Sequence, residues 1–206
     1  MAKLYFTYGT MRANQTTDLL ATAYKFEEHG GKVLITRPVI GTTGDENVVS
    51  PIGLRRKVDF LTAPEMDMEE EVLRRRATME HLSAVLVDEA QFLQPGQVDQ
   101  LLRLAVVHAI PVMAWGLRTD FRTHAFPGSQ RFWEAAHELK ESIAMCGHGG
   151  CEHQAQFNAR MVNGRFVAEG DQVAMDSEAQ VTYTALCAAH YLEDVGPISA
   201  MRPNIM

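Results

Sequence analysis

Cysteine is scarce in this 206-residue sequence, with only three, and no apolar run approaches the roughly 20 residues that a membrane-crossing helix needs. Three is an odd number and too few for a disulfide framework. That leaves metal ligation or plain core packing inside a reducing compartment, and the cytoplasm is the expected location. The start, Met1-Ala2-Lys3-Leu4-Tyr5-Phe6, runs straight into a strand-like segment, with no basic region followed by an apolar stretch. No secretory signal is expected. Positive charge is also short: 19 Lys and Arg against 26 Asp and Glu give a formal net charge of -7. Such a balance opposes binding to a phosphate backbone, so neither nucleic acid nor a membrane is expected as a partner. Internal repeats and low-complexity tracts are absent. What remains is a 46% hydrophobic share, ample for a packed core, in a length that suits one main domain and a small appendage.

The pattern along the chain alternates strand, glycine-containing loop and helix. Lys3 to Tyr8 reads as a strand. Thr16 to His29 reads as a helix with Leu19, Leu20, Ala23 and Phe26 on one face. Lys32 to Thr36 is a short apolar strand after the Gly30-Gly31 stop. Residues Arg37 to Val58 lack periodicity and carry Gly41, Gly44, Pro51 and Gly53, which predicts a long loop or flap, of the kind that is functional or disordered. Glu69 to His81 is a charged helix, Ala84 to Val87 a buried strand, Gln97 to His108 an amphipathic helix and Pro111 to Trp115 another buried strand. Ser129 to Met145 is predicted as a helix, with Phe132, Trp133, Ala136 and Leu139 at helical spacing. This alternation predicts an α/β fold, a parallel sheet flanked by helices with its site at the carboxyl ends of the strands. After Met145 the style changes to short β-like pieces, Gln156 to Met161 and Arg165 to Ala168, between Cys/His pairs. The expected division is 1–145, an α/β domain; 146–193, a small metal-stapled ribbon; and 194–206, a tail.

Three motifs carry chemistry. The first follows strand one: Gly9-Thr10-Met11-Arg12-Ala13-Asn14-Gln15-Thr16-Thr17. A phosphate-cradling loop reads G-x-x-x-x-G-K-[ST] between a strand and a helix. The context, Gly9 and Thr16 fit; Asn14 stands where the second glycine belongs and Gln15 where the lysine belongs. The helix amino end still offers N–H groups to an anion, but the point charge for the outer phosphates is missing. The second motif is the apolar strand ending in Asp88-Glu89. An acid there is how a Walker B segment holds Mg²⁺, and a second acid can take a proton from an incoming hydroxyl. The third is Cys151 with Cys187 and His190, whose C-x-x-H spacing suits zinc. The fourth ligand is His148 or Cys146, with His153 an outside candidate.

The run Asp88-Glu89-Ala90-Gln91-Phe92 resembles the D-E-x-Q-F of thymidine kinases of the zinc-containing, P-loop type. Gly116-Leu117-Arg118-Thr119-Asp120-Phe121-Arg122 followed by Phe126-Pro127-Gly128-Ser129-Gln130 is similar to a longer motif of the same family. The likeness continues through Gln156 to Arg160, Glu169 to Val173, and Tyr183 with Cys187 to Tyr191. It implies a P-loop NTPase-like sheet and a small zinc-ribbon-like β domain with a lasso loop. It also implies ATP, Mg²⁺ and structural Zn²⁺ as cofactors and a homotetramer. The activity implied is phosphorylation of the 5′-hydroxyl of thymidine or deoxyuridine in pyrimidine salvage for DNA synthesis.

By the same resemblance Gly9 to Thr17, Asp88 and Gln91 would face the nucleotide and its cation. Glu89 would be the base, and Arg122 would act near phosphate, while Arg118 would be structural. Met11, Phe92, Leu117, Phe121, Phe126 and Tyr183 would line the thymine pocket. The departures lie near the phosphates and the flap. Asn14-Gln15 replaces G-K. Gly41-Thr42-Thr43 and Ser50-Pro51-Ile52-Gly53 replace segments that carry arginine in the family, and Asp176-Ser177 replaces a Gly-Gly of the lasso. Two further readings follow from those departures: a homologue that binds nucleoside or nucleotide and regulates without turnover, and a structural oligomer subunit.

Overall fold

The computed structural model describes residues 1–39, 46–172 and 180–197. They form two compact units. The first holds Met1–Tyr8, Asn14–Gly116 and Pro127–Glu141; the second holds Gly9–Ala13, Leu117–Phe126 and the chain from Ser142. The division at Met145 expected from the sequence follows the chain, whereas these units are discontinuous.

A six-stranded sheet organises the first unit. Its strands are β1 (Leu4–Gly9), β2 (Val33–Pro38), β5 (Phe60–Thr62), β6 (Ala84–Val87), β7 (Val112–Leu117) and β8 (Glu138–Ser142). Their order is β5-β2-β6-β7-β1-β8, and the pairs β2–β5, β2–β6 and β6–β7 run parallel. Strand β6 shows why its sequence is continuously apolar. Val85 and Val87 pack on one side with Val98, Leu101 and Leu104 of helix α3 (Pro95–Val106), Met68 and Val72 of α2 (Met68–Arg76) and Phe132 of α4 (Pro127–Ala135). Ala84 and Leu86 pack on the other side with Leu19, Leu20 and Ala23 of α1 (Gln15–Glu28). Successive side chains of a strand point to opposite faces, so a strand covered on both faces must be apolar throughout.

Two sequence expectations need correction. The helix predicted over Ser129 to Met145 ends at Ala135, and Glu138–Ser142 is strand β8. The amide of His137 donates to the carbonyl of Leu4 and the amide of Leu4 donates to Nδ1 of His137, so β1 recruits this segment. Backbone bonding at the open edge of β1 outweighs a helical spacing that, beyond buried Phe132, leaves Trp133 and Leu139 exposed and Ala136 only partly buried. The long loop predicted over Arg37 to Val58 contains an antiparallel hairpin, β3 (Asn47–Val49) with β4 (Arg55–Lys57), closed by the turn at Ser50 to Gly53. Gly53 has φ +86°, a left-handed turn position that glycine adopts without strain. Residues 40–45, including Gly41-Thr42-Thr43, lie outside the described residues, as do Asp176-Ser177 and the end of the tail.

The second unit carries an antiparallel sheet in the order β10 (Arg165–Val167), β9 (Phe157–Val162), β11 (Val181–Leu186), followed by α5 (Ala188–Asp194). Tyr183 pairs with Arg160 and Thr184 with Ala159. Phe157 and Ala159 face a small core of Cys146, Leu186, Cys187 and Tyr191. That core is small, and a metal staple suits a domain of this size.

Candidate active site and metal centre

In the first unit, the loop after β1 leads into α1 through Asn14, whose φ of 56° and ψ of 24° are left-handed. Asparagine is among the few non-glycine residues that adopt this conformation readily, so the backbone path a glycine would take is retained. Gln15 does not extend outward. Its side-chain amide donates to the carbonyl of Gly116 at 2.8 Å and lies 3.4 Å from that of Thr7. It is thus tied to the ends of β7 and β1 and carries no charge. In the first turn of α1 the buried hydroxyl of Thr17 has no hydrogen-bond partner among the described residues. Thr16 is half-buried beside it.

Asp88 and Glu89 sit at the carboxyl end of β6. Asp88 is buried, and its amide donates to the carbonyl of Thr36. Burial above all, then the neighbouring Glu89 carboxylate, raises the Asp88 carboxyl to about 7, against the opposing pull of the Arg37 guanidinium. Arg37 is the penultimate residue of β2, near the strand end where sites of α/β sheets collect, and that position is the signal that could have marked it. Two crowded acids with one buried are a site that a divalent cation would relieve, so these residues fit Mg²⁺. Glu89 is left-handed, with φ 51°, and accepts a bond of 2.6 Å from the amide of Gln91. Gln91 therefore reaches toward the acid. It does so beside Gly116, where an added Cβ would lie 2.7 Å from the Gln91 side-chain oxygen. Phe92 follows in the 3₁₀ turn Ala90–Phe92, which restores the chain to α3. Gly128 is packed likewise: a Cβ there would lie within 2.9 Å of three carbonyl oxygens, those of Ala90, Gln91 and Leu93.

In the second unit, Asn158 joins two loops. Its side-chain oxygen accepts from the amide of Met11 and its amide donates to the carbonyl of Thr119, both at 2.8 Å. Asn158 is buried. The amide of Arg118 donates to Gly9, which links the same two loops again. Ala13 packs against Ala144, Ala155 and Ala185, and the buried hydroxyl of Thr10 lacks a partner among the described residues. Arg12 is exposed and left-handed, with φ 65°.

Phe121 and Phe126 are buried and Leu117 is half-buried. Arg122 donates through Nε and Nη2 to Oδ2 of buried Asp120 at 3.1 and 3.0 Å. Asp120 also accepts the amides of Arg122 and His124, so Arg122 shapes this turn as well as carrying charge. Tyr191 donates to the carbonyl of Phe121 at 2.7 Å; burial, then Asp120, pushes its hydroxyl up to about 12, which keeps it a donor. Arg160 lies 3.8 Å over the Phe121 ring and donates to the hydroxyl of Tyr183. Asn158 and Arg160 were not singled out from the sequence. Their i, i+2 spacing on a strand, polar among apolar neighbours, is the available signal.

The metal centre is also in this unit. Ligand atoms of Cys146, Cys151, Cys187 and His190 lie within 4.8 Å of one another. Three separations among them are 3.3, 3.5 and 4.0 Å. Tetrahedral Zn²⁺ with the usual bond lengths requires about 3.5–3.8 Å between ligands, so this set fits zinc. Burial would raise the Cys146 thiol, but the amide of Cys187, the amide of His148 and the His190 ring outweigh it and bring it to about 6. That favours the thiolate a metal takes. His148 is not in the set: its ring stacks on His190 at 3.8 Å, and its Nδ1 lies 3.5 Å from Asp194. His153 lies outside it too, 3.5 Å from the Cys151 sulfur.

Comparison with known proteins shows the family. The family model described as thymidine kinase matches residues 2–191. The chain is 37% identical over 195 residues to the thymidine kinase of Enterobacteria phage T4, covering 94% of this chain and 97% of that one. It is 37% identical to the thymidine kinase of Ruegeria pomeroyi, with 95% and 96% covered, and 40% identical to that of Legionella pneumophila strain Lens, with 93% and 90% covered. A likeness of this extent and continuity places the chain in the thymidine kinase family.

Proposed function

We propose that the chain transfers the terminal phosphoryl group of ATP to the 5′-hydroxyl of thymidine or deoxyuridine. The observation that carries the reading is the pair Asp88-Glu89 at the end of β6, with one acid buried and raised and the other held by Gln91. Glu89 takes the proton of the 5′-hydroxyl. The freed oxygen attacks the terminal phosphorus in line as its bond to the bridging oxygen breaks, and ADP leaves. Asp88, with a hydroxyl from the first turn of α1, would hold Mg²⁺, which supplies neutralisation of phosphate charge when bound. Met11, Phe92, Leu117, Phe121, Phe126 and Tyr183 receive the nucleoside, and Arg122 supports the phosphate side.

Turnover is slow in this reading, because Gln15 offers neutral hydrogen bonds where a lysine would place a charge. Charge-assisted bonds are about twice as strong. Backbone amides and the left-handed Asn14 keep the cradle, so ATP is bound weakly. Cys146, Cys151, Cys187 and His190 hold one structural Zn²⁺. The family resemblance supports a homotetramer, and thiols gathered as ligands suit the cytoplasm.

Titration with thymidine and with ATP, followed by a transfer assay with both and Mg²⁺, tests the function. Binding of both with measurable transfer is expected. Binding without transfer would support the regulator instead, and binding of neither would leave only a structural subunit.

A further inference from the structure

Arg160 lies at the middle of β9 and is buried, with 4% of its surface exposed. A buried guanidinium is costly unless it is well partnered. None of its partners among the described residues is a carboxylate. Its carbon lies 3.8 Å over the ring of Phe121, Nε donates to the hydroxyl oxygen of Tyr183 at 3.0 Å, and Nη2 donates to the carbonyl of Gln172 at 3.1 Å. Gly170, at φ +123°, lies so close that a Cβ would stand 3.2 Å from Nη1. The charge is thus spent on an aromatic face, a phenol and a loop carbonyl, and Phe121 and Tyr183 are both assigned to the nucleoside pocket.

The direction of the bond to Tyr183 carries further information. An arginine N–H can only donate, because the guanidinium stays charged and has no acceptor. The Tyr183 oxygen therefore accepts, and its own proton must point elsewhere. The Tyr183 hydroxyl makes no other hydrogen bond among the described residues. We propose that Arg160 is a positioning residue of the nucleoside pocket: it fixes the Phe121 ring and presets the Tyr183 hydroxyl as a donor toward an acceptor oxygen of the nucleoside. Lysine could not replace it, since a point charge cannot both lie flat on a ring and bond a phenol and a carbonyl in one plane.

This inference rests on thymidine being the ligand. The test is calorimetric titration of the full chain with thymidine, for the natural protein and for Arg160→Met, Arg160→Lys, Tyr183→Phe and the double variant Arg160→Met with Tyr183→Phe. Arg160→Met and Tyr183→Phe should each weaken binding about tenfold, and the double variant should bind about as Arg160→Met does, since the hydroxyl is no longer preset. Arg160→Lys should not restore affinity. Cooperative melting and bound zinc establish that each variant is folded. A natural chain that binds no thymidine overturns the functional reading and this inference with it. A natural chain that binds, beside folded Arg160 variants of equal affinity and lower melting temperature, overturns this inference alone by making Arg160 purely structural. Fully additive losses also overturn it. If Arg160→Met does not fold, unchanged affinity in Tyr183→Phe overturns it.

Discussion

The side-chain amide of Gln15 donates to the backbone carbonyl of Gly116 across 2.8 Å, so the residue at the lysine position of the phosphate loop is fastened to β7. Asn14 beside it already takes the left-handed backbone that a glycine would supply. The two departures from the family motif therefore have unequal weight. Asn14→Gly alone should change ATP affinity and transfer little. Gln15→Lys, alone or with Asn14→Gly, should raise transfer by roughly 10²–10³-fold, the scale of one preorganised donor at a transition state. A steady-state assay of the three variants checks this. A natural chain already working at a normal kinase rate, of order 1–100 per second, would show that another cation takes the lysine's place.

Glu89 is held by Gln91 at 2.6 Å in a left-handed backbone, a conformation that costs energy and orients the acid. Glu89→Gln keeps the size of the side chain but cannot accept a proton. Thymidine affinity should stay nearly unchanged while transfer falls by roughly 10²–10⁴-fold. Full activity in Glu89→Gln would remove Glu89 as the base.

Asp88 should make the fold sensitive to pH. Its folded-state value of about 7 lies above that of an unfolded aspartate, so the folded chain keeps an extra proton across the interval between. The stability this proton contributes is complete below about pH 4 and is lost as pH rises through about 7. In chelator, the urea midpoint of the natural chain should fall from pH 5 to pH 8 relative to that of Asp88→Asn. Added Mg²⁺ should bind more tightly as pH rises over the same interval, because the ion competes with the proton for Asp88. A midpoint difference independent of pH would show that Asp88 is ionised throughout.

One zinc per chain should be found by elemental analysis of the purified protein. Alanine at Cys146, Cys151, Cys187 or His190 should abolish it, whereas His148→Ala should retain it, because His148 stacks on a ligand rather than being one. Strong chelation should lower the melting temperature, since metal affinity in such a ribbon is folding free energy. Zinc that persists in Cys146→Ala and disappears in His148→Ala would reverse the assignment of the fourth ligand.

Much of this protein follows from sequence patterns that act over a few residues. The apolar tetrad Ala84–Val87 had to be a strand buried on both faces, and the stripe of Leu19, Leu20 and Ala23 had to be the inner face of a helix. Asp88-Glu89 at the end of that strand, and Cys187 with His190 one helical turn apart, marked both centres because each spacing carries its own chemistry. Tertiary structure decided what depends on partners distant in the chain. Glu138–Ser142 is a strand because β1 offers it backbone bonds, although its own spacing suits a helix. Cys146 rather than His148 lies in the quartet that could hold a metal, because its sulfur approaches Nδ1 of His190 while the His148 ring stacks on that histidine. Gln15 turns to Gly116, and Arg160 to Phe121 and Tyr183, through contacts spanning 101, 39 and 23 positions. Local propensity and periodicity record the strand, the helix and the acid; the destination of a polar side chain is settled only when separated segments close together and its donors must find acceptors there.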